Sequence, residues 1–201
     1  MTLIDLHGRQ LVLASASPRR SELLRSVGLE FDVVPADIDE SALPGEAPPD
    51  YVTRLSAEKA QAVAERVGDE SIIIVAADTT VDVDGHILEK PADDDDARRM
   101  LRLLSGRAHL VHTGVTVTWF PEPGSPRTTT CVVETAVRFV ELSEHAIGWY
   151  LSMGEHVGKA GAYGIQGAAG AFVERVDGSV TNVIGLPLAE ALAMIRATIA
   201  N

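Results

Sequence analysis

Several residue types are scarce in this sequence, and each shortage excludes a class of protein. The 201 residues include a single cysteine, Cys131, so no disulfide can form within the chain, and a reducing compartment, the cytoplasm, is predicted. No apolar run reaches the about 20 residues that a membrane-spanning helix needs, and the start of the chain lacks the apolar region of a signal peptide. Lysine and arginine number 17 against 29 acidic residues, and the net charge of −12 argues against nucleic acid or an anionic membrane as a partner.

The sequence contains enough apolar residues to form the core of a folded domain. Hydrophobic residues make up 46% of the chain, which indicates a globular protein rather than a disordered one. A chain of this length can bury a sizeable core, and we predict one domain over residues 1–201. A small phosphorylated ligand stays compatible with the acidic net charge, because it needs only a local basic pocket.

The stretch LVLASASPRRSELL, which begins at Leu11, is the centre of the prediction. Its apolar start predicts a buried strand, and Ser17 followed by Pro18 predicts a helix whose cap is the serine hydroxyl. The small-residue loop between them turns backbone N–H groups toward one point, where the helix dipole favours an anion. Arg19 and Arg20 lie in the first helical turn, where cations oppose the dipole. Either a bound phosphate offsets that cost, or the two arginines are simply solvated.

A second run, from Ser71 to Thr80, predicts a central strand buried on both faces, because it is rich in β-branched residues. Asp78 lies where this strand is expected to end, and ligands of α/β sheets gather beyond such ends. A partly desolvated carboxylate there can act as a general base or bind a metal ion. An aspartate that only caps the following turn is an equal alternative.

The charged residues between these two stretches fit surface positions on local pattern alone. The loop over residues 37–40 is acidic, and the simplest interpretation is that it is solvated. A helix is predicted over 49–67 from its apolar stripe. Its Arg54 and Lys59 can either reach a phosphate or face solvent, and charges on helices usually face solvent.

Later segments give weaker functional signals. A hairpin predicted over 81–88 has Asp82 and Asp84 on its polar face, and Lys90 just beyond it can neutralise phosphate charge. The glycine-rich segment 159–170 allows a ligand to approach the backbone closely, although a mobile loop would show the same glycine-rich pattern. Its Gln166 carries both an amide donor and an acceptor, which suits the imide-like edge of uracil or thymine.

Other clusters of polar residues are interpreted structurally. The acidic run 93–96 is followed by arginines, which is good electrostatics for the start of a helix rather than a metal site. His109 and His112 lie three apart on a predicted strand and so point to opposite faces, which argues against a shared zinc ion. A second hairpin is predicted over 171–184, where Glu174 faces either the site or the surface.

The order of these elements predicts the fold class. Strands and helices alternate early in the chain, and hairpins dominate later. This order favours an α/β fold with a mixed, strongly twisted sheet, flanking helices and two lobes around a cleft. The remaining strands are predicted over 31–34, 109–120 and 128–140, with a loop over 121–126, and the remaining helices over 93–104, 143–153 and from Pro187 onward.

Taken together, the motifs resemble those of the Maf-like nucleoside triphosphate pyrophosphatases. The resemblance extends from about Leu11 to about Ile199 and follows that family's order. The matching segments are LASASPRRSELL, R-L-S-A-E-K-A around Lys59, Ala77-Asp78-Thr79, the G-x-x-L-x-K-P pattern ending at Pro91, and K-A-G-A-Y-G-I-Q-G from Lys159.

This resemblance implies an activity, a set of site residues and an assembly. The implied reaction is hydrolysis of a nucleoside triphosphate between its α and β phosphates, with Mg²⁺ or Mn²⁺ as cofactor, in a homodimer with an elongated sheet. Asp78 matches the proton acceptor that activates water and is an implied metal ligand, and Glu40 is implied as a metal ligand or a carboxylate beside the phosphates. The implied phosphate-binding residues are Ser15, Arg19, Arg20, Lys59 and Lys90.

Within the family, the sequence is similar to the dTTP/UTP pyrophosphatase branch at three specificity positions, Arg20, Thr79 and Gln166. The alternatives are a 7-methyl-GTP or inosine-triphosphate-type pyrophosphatase, which substrate ranking distinguishes. A further alternative is a nucleotide-binding regulator of septum formation, which would bind nucleotide without turnover.

Overall fold

The fold is organised by a long central strand, β3 (Ile72–Val83), in a computed structural model that describes residues 3–67, 71–122 and 125–199. Before it come β1 (Gln10–Leu13), α1 (Pro18–Ser26), β2 (Asp32–Val33) and α2 (Pro48–Val67). After it come β4 (His86–Leu88), α3 (Asp94–Leu104), β5 (Ala108–Glu122), β6 (Ser125–Phe139), α4 (Glu144–Ser152), β7 (Val173–Asp177), α5 (Val180–Ile184) and α6 (Leu188–Ile199).

Within the described ranges the strands form one seven-stranded sheet in the order β2-β1-β3-β5-β6-β7, and β4 pairs with β3 beside this path. β1 runs parallel to β2 and β3, whereas the other pairs are antiparallel. The predicted mixed α/β sheet with flanking helices is therefore confirmed. None of the helices in these ranges combines the length and apolarity needed to cross a bilayer.

β3 is buried along its whole length except at the half-buried Thr79, as its β-branched composition predicts. Its predicted end was wrong, because the strand continues through Asp78 to Val83. β5 pairs with it as far as Asp82 and so supports the longer strand. Its parallel neighbour β1 stops at Leu13, opposite Val75, so Asp78 lies just beyond the end of β1 rather than at the end of its own strand.

The two halves of β3 belong to different cores. The first half is covered by α1 and α6 on one face and by α2 on the other. The second half packs with α3 and α4. This division agrees with the expected two lobes, and it places the boundary between them near Asp78.

Helix α2 approaches the sheet very closely at Gly114 on β5. A Cβ atom on Gly114 would lie 2.2 Å from the Val52 carbonyl oxygen and 2.6 Å from its carbonyl carbon. Next to this contact, the Ser56 and Thr116 hydroxyls are 2.9 Å apart. Gly114 pairs with Asp78 in the sheet register, so this close approach brings α2 beside the candidate base.

The hairpin predicted over 171–184 was wrong in its second half, which forms the short helix α5. The β-branched residues there favour a strand, but hydrogen bonds at Asn182 decide otherwise. Its amide donates to the Val111 carbonyl and the Thr135 hydroxyl, both at 2.9 Å. The Ser179 hydroxyl caps the helix by accepting from the Asn182 N–H. β7 pairs with β6 instead.

The two strand histidines are both buried and have different hydrogen-bond partners. His109 Nε2 lies 2.8 Å from the Tyr163 hydroxyl, and His112 Nε2 lies 3.1 Å from Asp82. The assignment of Asp82 to a polar hairpin face was wrong. It is buried, and it also accepts a hydrogen bond from the Gly85 N–H, which fixes the hairpin turn.

The acidic run at 93–96 does begin a helix, as predicted. Asp93 caps α3 by accepting a 2.8 Å hydrogen bond from the Asp96 N–H. The loop predicted over 121–126 is shorter than expected, since Glu122 already pairs with Ser125. Residues 123 and 124 of that loop lie outside the described residues.

Candidate active site

A cavity of about 720 Å³ opens beside the middle of β3. Its walls come from the loop after β1 and the start of α1, the loop 35–41, the centre of β3, and the segments 158–166 and 183–185. Its volume falls in the range of small-ligand sites. All nine residues proposed from the sequence line it: Ser15, Arg19, Arg20, Glu40, Lys59, Asp78, Thr79, Lys90 and Gln166.

Four of these side chains form a row of alternating charges. Lys59 Nζ lies 2.6 Å from Asp78 Oδ1 and 2.6 Å from Glu40 Oε1. Lys90 Nζ lies 2.7 Å from the other Glu40 oxygen, Oε2. The row runs from the buried Asp78 and Lys59 to the exposed Lys90. Each carboxylate therefore has a cation in contact with it.

The charge state of Glu40 follows from this row. Burial alone raises the pKa of Glu40, but the hydrogen bonds and positive charges of Lys59 and Lys90 outweigh burial and lower the pKa to about 2. Glu40 is therefore ionised at any pH at which the protein would work.

Arg20 is a buried clamp between three parts of the chain. Its Nε donates to the Gly185 carbonyl at 2.8 Å, its Nη1 to the Ser15 hydroxyl at 3.0 Å and its Nη2 to the Thr79 hydroxyl at 3.2 Å. Burial lowers the pKa of Arg20, and Asp78 opposes this effect. A guanidinium has five N–H donors, so one on each terminal nitrogen remains for a ligand.

Ser15, rather than Ser17, organises the loop before α1. The Ser17 hydroxyl makes no capping hydrogen bond, so the predicted cap was wrong. The Ser15 hydroxyl instead accepts from the Ser17 N–H at 3.2 Å and from Arg20. This arrangement turns the N-terminus of α1 toward the cavity, where its dipole favours an anion.

Known proteins resemble this chain over nearly its whole length. The family model described as Maf-like protein matches residues 10–198. The chain belongs to this family. The dTTP/UTP pyrophosphatase of Anaeromyxobacter dehalogenans strain 2CP-C is 53% identical, over 93% of each chain. That of Hahella chejuensis is 52% identical, over 94% of this chain and 92% of its own. Among solved structures, the Staphylococcus aureus Ham1 protein matches 65% of this chain and 72% of its own at 13% identity, with a TM-score of 0.45.

In this Maf-like protein, Arg54 does not line the cavity but fastens the loop that carries Glu40. Its Nε and Nη2 bind the two Glu46 oxygens at 2.6 and 2.7 Å, and Nη2 also donates to the Ser41 carbonyl at 3.1 Å. One turn earlier on α2, the Tyr51 hydroxyl donates to the Glu40 carbonyl at 2.9 Å. Helix α2 thus supplies Lys59 and also holds Glu40 against it.

Sequence reasoning missed Lys159 as a cavity residue. Its Nζ donates to the Glu155 carbonyl, and its stem crosses Gly164, where a Cβ would lie 2.8 Å from Lys159 Cε. Burial and the nearby Arg19 lower the pKa of Lys159. The signal was its position at the head of the K-A-G-A-Y-G-I-Q-G motif. Glu174, by contrast, pairs with Arg138 at 2.8 Å on an exposed surface and does not line the cavity.

The metal-ligating capacity of the site is small. No group of three or more His, Cys, Asp or Glu side chains that could hold a metal occurs within residues 3–67, 71–122 and 125–199. Glu40 and Asp78 offer two carboxylates on either side of Lys59. Two carboxylates fit Mg²⁺, which proteins commonly hold with one or two carboxylates plus substrate phosphates.

Behind the cavity wall, the His109–Tyr163 pair predicts a pH-dependent stability. Burial lowers the pKa of His109 from 6.5 to about 4, and Arg107 adds to this effect. The folded state thus excludes a proton that the unfolded chain accepts as the pH falls below 6.5. Between pH 6.5 and 5, protonation of His109 in the unfolded chain should lower the free energy of unfolding of wild type by about 1.5 kcal/mol. We expect the His109→Gln variant to lack this part of the loss, as measured by urea unfolding at the two pH values. Equal pH slopes for the two proteins would contradict this prediction.

Proposed function

We propose that this Maf-like protein hydrolyses dTTP and UTP to the nucleoside monophosphate and pyrophosphate. The observation that carries the proposal is the buried Asp78 carboxylate, held by Lys59 in a nucleotide-sized cavity that Arg19 and Arg20 also line. The relatives named dTTP/UTP pyrophosphatase, about half identical over nearly the whole chain, support the reaction and the pyrimidine preference.

In the proposed mechanism Asp78 is the general base. One of its oxygens, Oδ1, is bound to Lys59, and Oδ2 has no hydrogen-bond partner among the described residues. Oδ2 can therefore take a proton from a water molecule whose oxygen attacks the α-phosphorus. The bond from the α-phosphorus to the α–β bridging oxygen breaks, and pyrophosphate leaves with the electron pair.

The cationic side chains stabilise the charge that develops on the phosphates. Arg20 is preorganised by its three protein hydrogen bonds, so little ordering is needed when it binds an anion. Arg19 has no hydrogen-bonded partner in the described part of the chain and can turn fully to the substrate. A divalent cation held by Glu40 and Asp78 would add charge neutralisation at the phosphates. Ser15 keeps Arg20 and the loop backbone in place.

Specificity for the base is proposed to rest on Gln166, with Arg20 and Thr79. We expect Gln166→Leu to lower kcat/KM for UTP by about 10- to 100-fold, because the imide edge of the base loses its paired donor and acceptor. Inhibition by inorganic tripolyphosphate tests the phosphate subsite alone and should be unchanged. Equal losses of UTP turnover and tripolyphosphate inhibition would place Gln166 at the phosphates instead.

The cellular setting is also a proposal. The lone cysteine supports a reducing cytoplasm, and the family resemblance supports a homodimer with a nucleoside triphosphate as its partner molecule. Sedimentation of the purified protein tests the dimer directly.

The decisive experiment is pyrophosphate release with Mg²⁺ from dTTP, UTP, CTP, 7-methyl-GTP and ITP, measured under identical conditions. Preferential cleavage of dTTP or UTP is the expected result. Faster cleavage of 7-methyl-GTP or ITP would move the protein to another substrate class. Nucleotide binding without any pyrophosphate release would make it a nucleotide-binding regulator.

A further inference from the structure

The ammonium group of Lys59 lies between the carboxylates of Glu40 and Asp78. This is the position that a metal ion would occupy under the proposed function. The ammonium lies 2.6 Å from one oxygen of each carboxylate. The Lys59 and Asp78 side chains are only 8% and 9% exposed, so the contact between these two is shielded from water. A cation of the protein itself therefore already offsets part of the negative charge of the carboxylate pair.

Few carboxylate oxygens remain for a second cation. Lys59 takes Glu40 Oε1 and Asp78 Oδ1, and Lys90 takes Glu40 Oε2. Only Asp78 Oδ2 lacks a hydrogen-bond partner among the described residues. Mg²⁺ needs about six oxygens at about 2.1 Å, so an ammonium that already touches one oxygen of each carboxylate competes with it for the same place. Two like charges at such short range also repel strongly in a buried site.

Moving Lys59 away without a substitute is unfavourable. A buried ammonium that loses its carboxylates is left uncompensated, which is among the costliest changes in a protein interior. Under the proposed function the phosphates of a nucleotide provide the replacement, since they are anionic and bind in the cavity that Lys59 lines. The ammonium can then exchange a carboxylate partner for a phosphate oxygen.

We propose that Lys59 is a resident cation that keeps the carboxylate pair closed to divalent metal until a triphosphate accepts its ammonium. The inference rests on the proposed function for its ligand class. Metal binding to the nucleotide-free protein is therefore weak, and metal and triphosphate strengthen each other's binding. Lys59 acts here as a positioning residue for metal entry as well as a phosphate contact.

The test is Mn²⁺ binding to nucleotide-free protein, measured by electron paramagnetic resonance of free Mn²⁺ at pH 7.5. We expect Lys59→Met to bind Mn²⁺ at least about tenfold more tightly than wild type, because removing the ammonium exposes two adjacent carboxylates. Lys90→Met is the matched control. It also removes an ammonium from Glu40, but Lys90 is 61% exposed and does not touch Asp78, so a change below about threefold is expected.

A stability readout accompanies the binding measurement. Mn²⁺ should raise the thermal midpoint of Lys59→Met more than that of wild type, because metal replaces the missing charge. If Lys59→Met does not fold, Lys59→Gln serves instead, since its amide removes the charge but keeps hydrogen bonding. Mn²⁺ affinity in the Lys59 variant that is no greater than in Lys90→Met overturns the inference.

Failure of this inference is distinguishable from failure of the proposed function. The binding measurement contains no nucleotide and requires no turnover. If wild type releases pyrophosphate from UTP but the Lys59 variant has unchanged Mn²⁺ affinity, only the resident-cation inference is refuted. If the Lys59 variant binds Mn²⁺ more tightly but wild type releases no pyrophosphate, only the proposed hydrolase activity is refuted.

Discussion

The Asp78→Asn variant is expected to bind UTP normally but to release pyrophosphate at least about a hundredfold more slowly than wild type. An asparagine amide has nearly the shape of the carboxylate and can keep accepting from Lys59 through its oxygen. It cannot take a proton from water at neutral pH. The loss should therefore appear in kcat, with little change in the affinity for a non-hydrolysable UTP analogue.

The matched control for this variant is Asp82→Asn. Asp82 is a buried carboxylate on the same strand, but it contacts Gly85 and His112 and does not line the cavity. We expect its kcat to stay within about threefold of wild type, because the change lies outside the reacting groups. If Asp78→Asn keeps more than a tenth of wild-type kcat, Asp78 is not the base.

The second large effect is expected at Gly114, where β5 and α2 touch. Gly114→Ala places a methyl group 2.2 Å from the Val52 carbonyl oxygen, and the obstacle is backbone rather than a flexible side chain. Helix α2 must move away from the sheet, so we expect a loss of about 3 kcal/mol or more in the free energy of unfolding. Chemical unfolding in urea measures it.

Gly148→Ala provides the control substitution. Gly148 is a helical residue of α4, and a Cβ built on it meets nothing within 4 Å. The same chemical change should therefore be neutral or stabilising by up to about 1 kcal/mol, because alanine favours helix more than glycine does. Similar unfolding midpoints for the two alanine variants would show that α2 tolerates the added methyl group.

The Gly114 variant also connects stability to the site. Helix α2 carries Lys59, and through Tyr51 and Arg54 it holds the loop of Glu40. A shifted α2 should lengthen the contacts of Lys59 with both carboxylates, so kcat should fall even in the folded fraction. Single-turnover measurements at a temperature well below the unfolding midpoint separate this loss from unfolding.

Local pattern was sufficient for the elements whose burial and periodicity agree. The β-branched run predicted the buried strand β3, and the apolar stripe with its proline start predicted α2 closely. Pattern failed where a distant group decided the structure. The segment 180–184 is helical because Asn182 bonds to β5 and β6, and the buried Asp82 finds a hydrogen-bond partner in His112 on β5.

Motifs predicted residues that line one cavity, but they did not predict how those residues contact one another. Lys59 contacts Asp78 and Glu40, which are 19 residues away in either direction along the chain. That contact depends on how closely α2 lies on the sheet, and the missing side chain of Gly114 gives no periodic signal. The two alternatives for Arg54, a phosphate or solvent, both missed its actual partner, Glu46, which lies in an irregular loop.

The clamp at Arg20 has a consequence for how variants of this protein behave in cells. Its guanidinium joins the loop after β1, the centre of β3 and the residue that ends α5, so under the proposed function one side chain serves both ligand recognition and the integrity of the fold. We therefore expect a substitution there to lower turnover per molecule and also the number of molecules that escape proteolysis. Activity measured in crude extracts would combine the loss of turnover with the loss of protein, and so would overstate the loss of turnover per molecule. Inherited variation at this position is therefore under two selective pressures at once, one on catalysis and one on abundance.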